Sequence, residues 1–139
     1  MVDQEIVRTK IAQIQHHTQR LQEKQSVSFQ VFQQNEDLQD IVLHNLQNAI
    51  QGCLDLASHI IADGRWAIPP TQAGLFQALS DHQIITTEQA GKMKAMVGFR
   101  NLIVHEYTTL NLKKVYEMLT ERLRDFDPFL QEVIRYAGL

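Results

Sequence analysis

Apolar residues recur at spacings of three and four along nearly the whole chain, the period of a helix that buries one face. Over residues 2–24 the stripe is Val7, Ile11, Ile14, Thr18 and Leu21, with glutamines filling much of the other faces. A short aromatic link over 29–32 leads to Asn35, a good N-cap, and Glu36 and Asp37 follow where acids favour the helix dipole. The next helix is predicted over 36–63, with Leu38, Val42, Leu46, Ala49, Cys53, Leu56 and Ile60 in line and Asp63-Gly64 closing it. Pro69 and Pro70 force an extended connection to a short helix over 71–79. Thr86, with Gln89 three positions on, forms a capping box that opens a further helix. Asn111 starts the last one, with Leu112, Val115, Leu119, Leu123 and Phe126 on one side, Tyr116 on the same apolar side, and Pro128 expected to break or kink it before 129–136 resumes. No strand pattern, repeat or linker interrupts this, so the expected fold is all-α, an up-and-down bundle of four to five helices forming one domain over 1–139.

Composition narrows the class without naming it. A 139-residue chain with 44% hydrophobic and 21% charged residues suits a soluble domain with a modest core. No run approaches the roughly 20 apolar residues of a spanning helix, and the start of the chain lacks a signal-peptide pattern, so a cytoplasmic protein without membrane contact is expected. The single Cys53 leaves no internal disulfide and reads as a small core residue. A net charge of −3 argues against a protein that coats nucleic acid, but an RNA enzyme needs positive potential only in its cleft.

The concentrated chemistry lies in Arg100, Asn101, His105 and Tyr107. At about 100° per residue, with Arg100 at zero, Tyr107 falls near −20°, Asn101 near 100° and His105 near 140°. These four share one half of the helix, and the opposite side, with Ala95, Phe99, Leu102 and Ile103, is the expected core face. Met93, Val97 and Val104 lie within the arc of Arg100, so the helix is apolar on two sides and wants a second partner, expected to be a second subunit. RNA carries its own nucleophile, the 2′-hydroxyl. Cleavage then needs a proton acceptor and donor, a part for His105, and a cation for the phosphorane, a part for Arg100. Asn101 can orient His105 or donate to a phosphate oxygen, and Tyr107 can stack on a base. The blander alternative pairs Arg100 with an acid and His105 with a carbonyl.

Arg100-Asn101 followed by His105 and Tyr107 resembles the Arg-(x)4-6-His signature of HEPN domains, in the form found in HepT-like toxin ribonucleases. Ala49-Ile50, the stretch 53–61 and Gly98-Phe99 are similar to that family as well, and the helix order matches over nearly the whole chain. The resemblance implies a symmetric homodimer with two motifs across a shared cleft. It implies a metal-independent RNase, with tRNA among the candidate substrates, acting as the toxin of a type VII-like toxin–antitoxin pair. Arg100 and His105 are then catalytic, with no cofactor. The partner implied is an MntA-type nucleotidyltransferase antitoxin that neutralises the toxin by AMPylation of Tyr107. A family pattern Asp-x-x-Asn-His on the long helix is met by Asp55 and His59 but departs at Ser58. Asp55 and His59, four apart on one face, either support the motif or form a local pair. The alternative function is a non-catalytic HEPN module that binds a nucleotidyltransferase or nucleotide.

Other residues carry weaker signals. His16, His17 and His44 lie on polar faces without a convincing metal spacing, and no metal site is expected. Arg65, Lys92, Lys94, Lys113 and Lys114 are candidates for RNA backbone contacts, and Trp66 is expected to anchor the loop before the prolines.

Overall fold

The computed structural model describes residues 2–105 and 111–139; the side chains of Ile103, Val104 and His105 and the whole of Tyr107 lie outside the described part. The described residues are all-helical. The helices are α1 (Gln4–Gln22), α2 (Phe29–Gln34), α3 (Glu36–Asp63), α4 (Gln72–Asp81), α5 (Thr87–His105), α6 (Leu112–Glu117) and α7 (Phe126–Ala137). Each early boundary has a local cause. Asp3 accepts from the amides of Glu5 and Ile6, Asn35 from Leu38 and Thr71 from Gly74. The capping box closes both ways: Thr86 N donates to Gln89 Oε1 at 2.9 Å and Gln89 N to Thr86 Oγ1 at 3.0 Å. These bonds satisfy amides that a helix start otherwise leaves without partners.

Three boundaries differ from expectation. Residues 29–34 form a short helix rather than a link, because Ser28 caps it through the amide of Val31. The chain reverses after α3 at Arg65, with φ +56°, whereas Gly64 keeps ordinary helical angles. Glycine is needed there for space, since a Cβ on Gly64 would stand 2.5 Å from the indole of Trp66. The last helix loosens before Pro128, through a wide turn at Met118–Arg122 and a tight one at Leu123–Asp125. Proline has no N–H to bond the carbonyl four residues back, here that of Arg124, so the irregularity falls on the N-terminal side.

α1 and α3 pack antiparallel along most of their length. The predicted stripes of α1 and α3 are buried, Leu38 only partly. The long helix buries more than its stripe, with Leu43, Ile50, Leu54, Ala57 and Ile61 also inside, because it is flanked by α1 on one side and by α4 and α5 on another. Gly52 lets α1 approach: a Cβ there would stand 2.5 Å from Cγ1 of the fully buried Ile14. Gly52→Ala should cost about 1–3 kcal/mol from overpacking, less up to about 1 kcal/mol of regained helix propensity. Chemical denaturation of the variant reads the balance, and unchanged stability would mean the α1–α3 seam can slide apart freely.

The α4–α5 hairpin orients the rest. Trp66, after α3, stacks on His82, after α4, with ring centroids 3.6 Å apart and planes within 4°. The C-terminal ends of α3 and α4 therefore meet, and α5 runs back from that end. α6 closes the other end: Tyr116 donates to the Val27 carbonyl at 2.7 Å and packs against Phe29 and Phe32. Tyr116 is thus a half-buried clamp on the α1–α2 connection rather than a fully enclosed core residue.

Candidate active site

The buried face of α5 is the one that carries Arg100. Ala90, Met93, Met96, Val97 and Phe99 are buried, whereas Ala95 is exposed and Leu102 half-buried. Phe99 is buried as expected, but the rest of the expected core face is corrected: Met93 and Val97 pack into this chain's own core, and the side with Gly91, Ala95 and Gly98 is the one left open. A wheel alone shows two apolar arcs, and the small residues on one of them let Met and Val win the interior.

Arg100 comes at the end of that buried face, 13 residues after Thr87, or about 20 Å along the axis from the end where Trp66 and His82 stack. Its Nη1 donates to Gln72 Oε1, at the start of α4, over a long 3.4 Å. Its Nε is enclosed and has no hydrogen-bond partner. Among the described residues no salt bridge involves Arg100. An enclosed guanidinium nitrogen without an acceptor costs about 1–3 kcal/mol, and such a group suits an anionic ligand. Asn101 is exposed one position on. The backbone of His105 ends α5, and Tyr107 follows outside the described residues.

The described chain resumes at Asn111, beside the N-terminal end of α3. Leu112 lines a groove of about 390 Å³ with Gln33, Gln34, Glu36, Gln39, Asp40 and Leu43. Asp55 and His59 lie 12 and 16 residues beyond Leu43, about 18 and 24 Å along the helix from this groove. Asp55 accepts from Lys10 of α1 and from Gln51, each at 2.9 Å, and so ties α1 to α3. His59 has an enclosed Nε2 without a partner. Among the described residues no hydrogen bond or ion pair joins Asp55 or His59 to Arg100 or Asn101, and none joins them to each other. Sequence reasoning did not find Gln72, which carries no pattern of its own.

The remaining candidates divide by environment. Lys92 faces Glu88 at 3.4 Å and the buried Asp125 at 3.9 Å, and Lys94 donates to Gln77, so both serve packing. Arg65, Lys113 and Lys114 are exposed. Burial, with the Asp55 carboxylate adding to it, pushes the Cys53 thiol well above its ordinary value, leaving it inert. Among the described residues no group of His, Cys, Asp and Glu is arranged to hold a metal, and no helix is long and apolar enough to cross a membrane.

An all-α bundle with an arginine five positions ahead of a histidine that ends a helix has the pattern of the HEPN class. The model of the family described as Ribonuclease HepT-like matches residues 14–133, and the chain belongs to this ribonuclease family. It is 35% identical over 129 residues to the mRNA nuclease HepT of Shewanella oneidensis, covering 93% of this chain and 96% of that protein. It is 24% identical over 131 residues to the tRNA nuclease HepT of Aphanizomenon flos-aquae, covering 94% and 89%. The tri-AMPylated Shewanella oneidensis HEPN toxin, solved in complex with an MNT antitoxin, superposes with a TM-score of 0.85 at 35% identity, over 94% of this chain and 97% of that one.

Proposed function

We propose that this chain is the RNase toxin of a type VII-like toxin–antitoxin pair in the cytoplasm, cleaving RNA at Arg100 and His105 without a metal. The observation that carries the reading is the guanidinium of Arg100, held partly dry and claimed by no carboxylate among the described residues. It binds the scissile phosphate and stabilises the charge that builds on its non-bridging oxygens. The 2′-oxygen attacks phosphorus while His105 takes its proton. The bond to the 5′-oxygen breaks, that oxygen is reprotonated, and a 2′,3′-cyclic phosphate remains. Asn101 donates to a phosphate oxygen or steadies His105, and Tyr107 stacks on a base.

The same site is silenced covalently in this reading. An MntA-type nucleotidyltransferase joins the Tyr107 phenol oxygen to the α-phosphorus of ATP and releases pyrophosphate. The added phosphate places negative charge beside Arg100, where the substrate phosphate belongs. A Tyr107→Phe variant should then kill cells that express the antitoxin, and survival would sink this mode of control.

The reading includes a homodimer. Gly91, Ala95 and Gly98 are exposed at spacings of four and three, with half-buried Leu102 four further on, and a Cβ on Gly91 or Gly98 would meet nothing within 4 Å. A smooth open helix face lets a second α5 approach closely and brings the two motifs near one another. Gly98→Leu should halve the mass seen by sedimentation and reduce cleavage with it. A parent that sediments as a monomer at micromolar concentration would contradict the dimer.

The deciding experiment is cleavage of a labelled RNA pool containing mRNA and tRNA, in EDTA, by the parent and by folded Arg100→Ala and His105→Ala variants. Cleavage lost in both variants is the expected result. No cleavage by a parent whose intact mass carries no AMP would overturn the reading.

A further inference from the structure

On the flank of α3 away from α4 lies a second groove, of about 500 Å³, lined by His16, His17 and Arg20 of α1 and by Asp40, Ile41, His44 and Asn45 of α3. Its centre is built rather than incidental. Asn45 is buried, at 5% exposure, and its amide nitrogen donates to the Ile41 carbonyl at 2.8 Å. That bond fixes the amide's orientation and turns Oδ1 toward His17 Nδ1, 2.9 Å away. An acceptor at that distance places a proton on Nδ1, so the tautomer of His17 is set and Nε2 is left for another partner. Two further imidazoles stand beside it, with ring centroids 5.3 Å from His17 for His16 and 6.0 Å for His44. His44 is held by Asn48, whose Nδ2 lies 3.4 Å from its Nδ1. Arg20 is exposed, and Glu23 reaches it only at 4.0 Å.

The groove adjoins the one lined by Leu112. Asp40 lines it and also lines the groove that Leu112 enters just after the motif.

We propose that the His16–His17–Arg20–His44 groove is a phosphate-binding subsite that holds the backbone of the RNA beyond the cleaved bond. The inference rests on the ribonuclease reading of Arg100 and His105. The phosphate is held by Arg20 and by protonated His17, whose Nδ1–H stays on Asn45 while Nε2–H turns to the phosphate oxygen. His16 and His44 add donors from either side. The charged and titratable groups facing the pocket are Arg20, Asp40, His16, His17 and His44, with Glu23 beside Arg20. The Asp40 carboxylate opposes an anion, so binding needs the imidazoles charged and strengthens from pH 8 to pH 6.

The test uses a 20-nucleotide 2′-O-methyl RNA, which lacks the nucleophile and is bound without being cut. Its affinity is measured by fluorescence anisotropy against salt and pH for the parent, for Arg20→Gln/His17→Gln/His44→Gln, and for Arg20→Gln/His44→Gln. The last variant changes only exposed side chains and reads the site should the triple variant unfold. A tenfold or greater loss of affinity is expected in the triple variant, smaller in the double. The salt slope should flatten by about 0.7 for the lost phosphate contact, and the gain at pH 6 should vanish. Unchanged affinity and slope in folded variants overturn the proposal. Displacement of the RNA by millimolar AMP or inorganic phosphate as readily from the variants as from the parent also overturns it, assigning the groove to no RNA contact. A parent that binds this RNA through the groove yet cleaves no RNA would refute the ribonuclease reading while leaving the subsite standing.

Discussion

Arg100→Met is expected to reduce RNA cleavage about 10³-fold, the scale seen when a single preorganised donor to a developing oxyanion is removed, with no loss of thermal stability. The two halves of this expectation have one cause. Arg100 sits at the end of the face that buries Met93, Met96 and Val97, so its stem already packs where an apolar side chain would fit. Its Nε is enclosed without an acceptor, and its remaining described bond, to Gln72, is long. Methionine fills the stem's volume and removes the unpaired nitrogen. A variant that loses cleavage and melts at or above the parent's temperature would identify Arg100 as a group kept for function at the expense of stability. A melting temperature that falls by many degrees would instead make Arg100 structural. Arg100→Lys keeps the charge but lacks the planar fork, and should recover only a small part of the activity.

Phe129→Ala should have the largest effect on stability, a loss of about 3–5 kcal/mol. Phe129 and Phe76 are both fully buried and meet edge to face with centroids 5.5 Å apart, joining α7 to α4. Truncation removes that contact and opens a cavity at the junction. Against a total stability of about 5–15 kcal/mol, this is a large fraction, and for a chain of this size it lowers the melting temperature by roughly 10–20 °C. Phe129→Leu should cost much less because most of the volume survives. The consequence reaches the candidate site through α4, since Gln72 at its start is what Arg100 holds. Chemical denaturation with matched slopes would read the loss, and an effect under about 1 kcal/mol would mean that α7 repacks freely.

The helix pattern was legible because it is local. The stripes of α1 and α3, the caps at Asn35 and Asn111 and the box at Thr86 each depend on residues within one or two turns, and the structure places them as read. The turn after α3 was legible only in outline. A glycine beside the helix end suggested a left-handed cap, but the stacked Trp66 claims the space where a Gly64 side chain would go, and Arg65 takes the positive φ instead. Pro128 marked a defect in the last helix, and the structure spreads it over a wide turn and a tight one on its N-terminal side.

The sequence by itself determined that this chain is all-helical, that Arg100, Asn101, His105 and Tyr107 fall within eight residues as its candidate site, and that it is related to the HepT-like ribonucleases. Periodicity, capping and a short motif are written in neighbouring residues. The tertiary structure decided which face of α5 is buried, that Arg100 meets Gln72 and no described acid, that Asp55 is spent on Lys10, and that His17 is oriented by Asn45. Each of these joins residues from different helices. Their side chains compete for the same interior, and the outcome depends on volumes and directions that no single helix wheel contains.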